Sequence, residues 1–354
     1  MFRAIRPASL GLFALIVAAP GAVLASPYQQ TNLITSATDS DLINPWGIAF
    51  SPTSPFWVSD NGTGKSTIYN SAGIKQGLVV TMPVGSEPVD GIVYNNTTNF
   101  HADNFIFSSE NGTIAGWRGA LGSTAEQLYS VTGAVYKGLA ISTAKDTLYA
   151  ANFHDGVVDV FDSTHSSPIG SFSDPTAPAG YAPFNIQNLG GKFYTTFAVQ
   201  DGARHDDVSG PGNGLVDVFD PTTDTFTRLV TGGVLDSPWG LALAPASFGD
   251  FAGGLLVGNF GDGKINAFNA TTGALLGTLS DSGSNPIVNP GLWGLAFGNG
   301  SADPNALYLT AGGADEASGA FARINAVPEP STLTLFALAV AGLAGRWRRS
   351  LCRS

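Results

Sequence analysis

The sequence predicts an all-β fold, a six-bladed β-propeller whose ring is closed by the N-terminal strand. Three observations predict it. A turn or small residue, then glycine, then an alternating apolar run recurs six times. Successive copies lie 44, 47, 47, 55 and 54 residues apart, the length of one four-stranded blade. The chain of 354 residues holds 45 glycines and almost no helical periodicity, which suits short strands joined by many turns.

The elements follow in order. Residues 1–25 read as a signal peptide: Arg3 and Arg6 precede the apolar run Leu10 to Ala19, and Ala22-Val23-Leu24-Ala25 offers a small-x-small cleavage site. The propeller is expected over 26–326. Its repeated element appears as Pro45-Trp46-Gly47-Ile48, Val89-Asp90-Gly91-Ile92 and Tyr136-Lys137-Gly138-Leu139. It recurs in the degenerate Pro183-Phe184-Asn185-Ile186, then in Pro238-Trp239-Gly240-Leu241 and Leu292-Trp293-Gly294-Leu295. A second apolar run follows each copy, such as Phe56 to Asp60 or Leu148 to Asn152. Asn61-Gly62, Asn111-Gly112, Asp155-Gly156 and Asp262-Gly263 then read as hairpin turns into third strands. Fourth strands are expected at Leu78–Met82, Gln127–Val131, Ile169–Phe172, Phe226–Val230 and Leu275–Leu279. The last repeat runs to Ile324 one strand short, and the unassigned segment Gln30 to Thr35 fills that gap. It removes an open sheet edge by doing so.

Residues 327–354 form a separate tail. Val327-Pro328-Glu329-Pro330 leads into the apolar run Leu333 to Gly345, a transmembrane helix by hydropathy, and then into Arg346, Arg348 and Arg349. This order resembles the PEP-CTERM sorting signal. The resemblance implies an exosortase-type protease as partner, beside the Sec translocon that the signal peptide implies. It also implies export, a transient inner-membrane anchor, and a final place at the cell surface or outside it. The body resembles the NHL-type and gluconolactonase-like six-bladed propellers, and more closely a group of uncharacterised bacterial propellers with the same tail.

Charge narrows the partners. With Glu329 and the six terminal arginines set aside, the body holds 26 acidic and 10 basic residues, a net charge of −16. That excludes nucleic acid as a partner. The single cysteine, Cys352, lies in the tail, so the body has no disulfide. No nucleophile elbow, zinc spacing or phosphate loop occurs, so no catalytic residue is assigned.

Propeller geometry gathers the ends of the inner strands and the loops between them around the channel mouth. Asp60, Asp90, Glu110, Asn152, Asn185 and Asn259 come from neighbouring blades and are candidates to converge there. The gluconolactonase resemblance implies a divalent ion, calcium by ligand type, held by carboxylates and amides. Trp46, Trp239 and Trp293 recur at one repeat position. They read first as packing aromatics and second as a platform for stacking sugars. The loop Gln200 to Asp207 reads as a solvated insertion with an internal Arg204–Asp pair, and the alternative is a calcium or substrate-contact loop. The sequence thus points to an exported propeller that binds a ligand or partner, such as an exopolysaccharide. The alternatives are a metal-dependent hydrolase or lactonase and a structural envelope component.

Overall fold

Short alternating strands bury one face only by packing sheet against sheet, and a ring of radial sheets does this with every face. The computed structural model describes residues 27–86, 88–223 and 225–327. Among them the strands form six four-stranded antiparallel sheets. The inner strands are Pro45–Ala49, Val89–Tyr94, Tyr136–Ile141, Tyr181–Leu189, Pro238–Leu243 and Leu292–Phe297. Each starts blades one to six respectively, and each begins at what is here named the upper face and ends at the lower face.

The closing strand is where the count places it. Tyr28–Thr35 pairs with Ala320–Ala326 as the outer strand of blade six, from Tyr28↔Ala326 to Thr35↔Ala320 with a one-residue bulge between Asn32 and Ile34. Tyr28 anchors it: its ring stacks on Phe251 at 5.6 Å and lies 5.0 Å from Phe248, both in blade five, and its hydroxyl donates to the Phe248 carbonyl at 3.1 Å. Gln30 and Asn289 exchange amide hydrogen bonds of 2.6 and 2.9 Å. The two ends of the body meet at the lower face, where the Val327 amide donates to the Pro27 carbonyl.

Blades pack through aromatic contacts between neighbours. Trp57 of blade one stacks on Phe105 of blade two at 4.0 Å, and Phe172 of blade three on Phe219 of blade four at 3.9 Å. Three of the expected Asn-Gly and Asp-Gly turns place Gly112, Gly156 and Gly263 in the left-handed region. The fourth differs. Asn61–Thr63 forms a 3-10 turn and Gly64 takes the left-handed role, at φ 63°. Gly62 is needed for space instead, because a Cβ there would lie 2.6 Å from Ile43.

The signal peptide, the C-terminal apolar run, Pro328, Glu329, Pro330, Arg346, Arg348 and Arg349 lie outside the described residues. Among the described residues no helix is long and apolar enough to cross a membrane.

Candidate functional site: the upper channel mouth

In every blade the inner strand carries one extra residue against its neighbour, just before or at the repeated glycine. The pairing jumps from Tyr136↔Asn152 to Gly138↔Ala151, from Pro238↔Asn259 to Gly240↔Gly258, and likewise in the other four blades. A bulge of this kind re-aims a side chain. Here it turns one residue per blade toward the axis: Trp46, Asp90, Lys137, Phe184, Trp239 and Trp293. The glycine that follows lets the inner strands close up. A Cβ on Gly294 would sit 2.5 Å from the Trp46 carbonyl oxygen, and one on Gly240 would sit 2.5 Å from that of Trp293. Blade four has Asn185 instead, and its amide donates to the Trp239 carbonyl at 2.7 Å.

The six residues divide by chemistry. Trp46 and Trp293 stack at 3.4 Å, Trp239 meets both edge-on at 5.8 and 5.9 Å, and Phe184 closes the group. All three tryptophans are at most 2% exposed, so they plug the channel and do not form an open platform. Trp239 Nε1 donates to the Lys137 carbonyl and Trp293 Nε1 to Asn44 Oδ1. Asp90 and Lys137 occupy the remaining arc, both buried.

Lys137 is the centre of this arc. Its ammonium donates to Glu110, lies 3.4 Å from Asp206 Oδ1 and stands 5.3 Å above the Trp46 ring. Burial works against the ammonium, but the charges of Glu110 and Asp90 outweigh it and hold the pKa above the usual lysine value. Burial, and then the charge of Glu110, push the Asp90 carboxyl well above the usual range. Asp90 Oδ1 accepts from Asn61 Nδ2 at 2.7 Å, and its other oxygen is buried without a partner. Glu316, raised chiefly by burial, accepts from Asn44 Nδ2 at 2.6 Å.

Above the plug lies a cavity of about 440 Å³. Trp46, Trp293, Phe260, Asn61, Glu110, Lys137, Asp206, Asp207 and Glu316 line it. The loop read as a solvated insertion therefore folds over the mouth and supplies Asp206 and Asp207.

Of the residues named from sequence, Glu110, Trp46 and Trp293 line this cavity, with Asp90 buried behind Asn61 and Trp239 behind the two other tryptophans. The others sit elsewhere. Asp60 is enclosed in blade one beside Thr67, with its carboxyl raised well above the usual range by burial. Asn152 bonds Asp155 and Asp159, Asn185 bonds Trp239, and Asn259 bonds the Val234 carbonyl and Asp262. Lys137, Asn61, Phe260, Asp206, Asp207 and Glu316 are the additions. Lys137 was within reach of sequence reasoning, because it holds the repeat position that Trp46, Asp90, Trp239 and Trp293 hold in other blades. As for a cation, ligand atoms of Glu110, His205 and Asp206 all lie within 4.8 Å of one another. Two of these three already face the Lys137 ammonium, so an ion fits only if Lys137 moves aside.

Residues 326–349 match the PEP-CTERM protein-sorting motif. Two uncharacterised proteins of Acanthamoeba polyphaga mimivirus are similar to most of the chain. R648 is 32% identical over 73% of this chain and 69% of its own length. L690 is 34% identical over 75% of this chain and 76% of its own length. Among solved structures, selenomethionine-substituted virginiamycin B lyase from Staphylococcus aureus superposes with a TM-score of 0.53 at 10% identity. That match covers 85% of this chain and 99% of the other, and at this identity it shows the fold alone.

Proposed function

Because the chain belongs to one family with the uncharacterised mimivirus proteins R648 and L690, we propose a function from its own residues: an exported, surface-destined propeller that binds a small polar ligand at the upper mouth. The sorting motif supports export and processing by an exosortase-type system. On this reading residues 1–25 are removed on export, 26–326 are the working domain, and 327–354 anchor the chain until it is processed. The observation that carries the binding reading is the cavity in which the buried Lys137 ammonium meets the Glu110 carboxylate over the Trp46 ring. Charged donors and acceptors gathered at one cavity suit a polyhydroxylated ligand, such as a sugar unit of an exopolysaccharide.

A second reading, a metal-dependent hydrolase, is favoured by one observation, the approach of Glu110, His205 and Asp206. One experiment addresses both. The protein is titrated with oligosaccharides released from the producing cells' matrix, with and without a chelator. Binding is expected without added metal, and Lys137→Met is expected to weaken it by about tenfold or more. Unchanged binding by Lys137→Met would remove the first reading. Bound divalent metal, with a melting temperature that falls on chelation, would move the assignment to the second.

A further inference from the structure

The lower end of the channel holds a second cavity, of about 570 Å³, that the reading of the upper mouth leaves unused. Its size lies within the range of roughly 300–1,000 Å³ usual for small-molecule sites. The lining begins one residue after each glycine, below the aromatic plug. Two residues after the glycine, the inner strands contribute Ala49, Val93, Ala140, Gln187, Ala242 and Ala296. Five of these are small and apolar. Ile, Leu and aromatic side chains supply most of the remaining wall, and aliphatic walls offer water few partners.

Four polar side chains interrupt this surface: Thr143, Lys145, Gln187 and Asn188. The Asn188 amide is bonded to the Ile141 carbonyl and to Thr143 Oγ1. Gln187 stands where the other blades have alanine or valine, and its Oε1 is buried without a hydrogen-bond partner. Lys145 reaches the rim from the turn between the first two strands of blade three, where its backbone is left-handed at φ 61°. Its ammonium donates to the Tyr94 carbonyl at 2.8 Å. Among the described residues no carboxylate lies within ion-pair distance of it, whereas Lys65, Lys75, Lys137 and Lys264 each have one. An ammonium carries three donors, so Lys145 has two left for a ligand. An apolar, blind channel with an unpaired cation at its lip matches a molecule with an aliphatic tail and an anionic head.

We propose that the lower cavity binds a single-chain aliphatic carboxylate, its tail along the alanine row and its head on Lys145. The inference is independent of the upper mouth, so failure of either leaves the other standing. The test uses the full chain and lauric acid below its aggregation limit, with dodecanol as the uncharged probe. Laurate is expected to bind one per chain. Lys145→Met keeps the aliphatic stem at a partly exposed turn, and is expected to weaken laurate by about tenfold while leaving dodecanol unchanged. Ala296→Leu fills the cavity, and is expected to weaken both once an unchanged melting temperature shows that it folds. If Ala296→Leu does not fold, the Lys145→Met contrast between the two probes still decides the matter. No laurate binding, or equal laurate affinity in wild type and Lys145→Met, overturns the proposal. So does binding to phosphatidylglycerol vesicles without binding of free laurate, since the source of the anionic amphiphile would then be the membrane.

Discussion

At the scale of the residue, the upper mouth is governed by how few cations it holds. Lys137 meets carboxylates from blades two and four, and Asp90 is left with an amide for company. An aspartate in an unfolded chain titrates near 3.9. In the fold, burial and the Glu110 charge raise Asp90 well above that value. Between the two values the native state holds a proton that the unfolded chain has lost. The stability contributed by Asp90 is therefore complete below about pH 4 and is lost as pH rises through the folded value, about 1.4 kcal/mol for each pKa unit. Asp90→Asn mimics the protonated acid and keeps an acceptor for Asn61. Urea unfolding at pH 5 and pH 8 is expected to show a smaller loss for Asp90→Asn than for wild type, and parallel losses would refute the assignment. The residue types at the mouth were legible in sequence, but their company was not. Asp90, Trp46 and Lys137 share a repeat position, which chain spacing reveals. Asp206 and Glu316 reach the same cavity from loops of blades four and six, and loops have no period to align.

At the scale of the element, the bulge and the closing strand do the positioning. The extra residue in each inner strand is invisible in a hydrophobic pattern, because these strands are buried on both faces and read as continuous apolar runs with no alternation for a bulge to interrupt. The closing strand was legible for a different reason: five complete blades and one of three strands leave one place for Tyr28–Thr35. Its hold on blade five through Tyr28 was not, since Phe248 and Phe251 lie in a short 3-10 segment that reads as loop. Truncating this ring removes the contact that ties the outer strand of blade six to blade five. Tyr28→Ala is expected to cost about 3–5 kcal/mol, as aromatic-to-alanine changes in cores do. Hydrogen exchange should localise the loss to blade six and its junction with blade five. A cost under about 1 kcal/mol would show that the outer strand merely covers the ring and does not close it.

At the scale of the whole molecule, the topology fixes which face any C-terminal tether meets. Strand Ala320–Ala326 ends at the lower face, beside the start of Tyr28–Thr35. Six residues, 327–332, separate it from the apolar run, and fully extended they span at most about 20 Å. If that run anchors the unprocessed chain, the lower face stays within that distance of the bilayer and the upper mouth points away, open to matrix ligands. The body has no cysteine, so single labels are clean once Cys352 is replaced by serine. Val84, fully exposed, marks the upper side, and Thr271 lies in an exposed turn of blade five at the lower side. In membranes carrying the unprocessed chain, a bulky polyethylene-glycol maleimide is expected to modify Val84→Cys several-fold faster than Thr271→Cys. Dissolving the membrane in detergent should abolish the difference, because the bilayer alone restricts the lower site. Equal rates in intact membranes would mean that the propeller is not held by its C-terminal end, and the upper mouth would then have no preferred outlook.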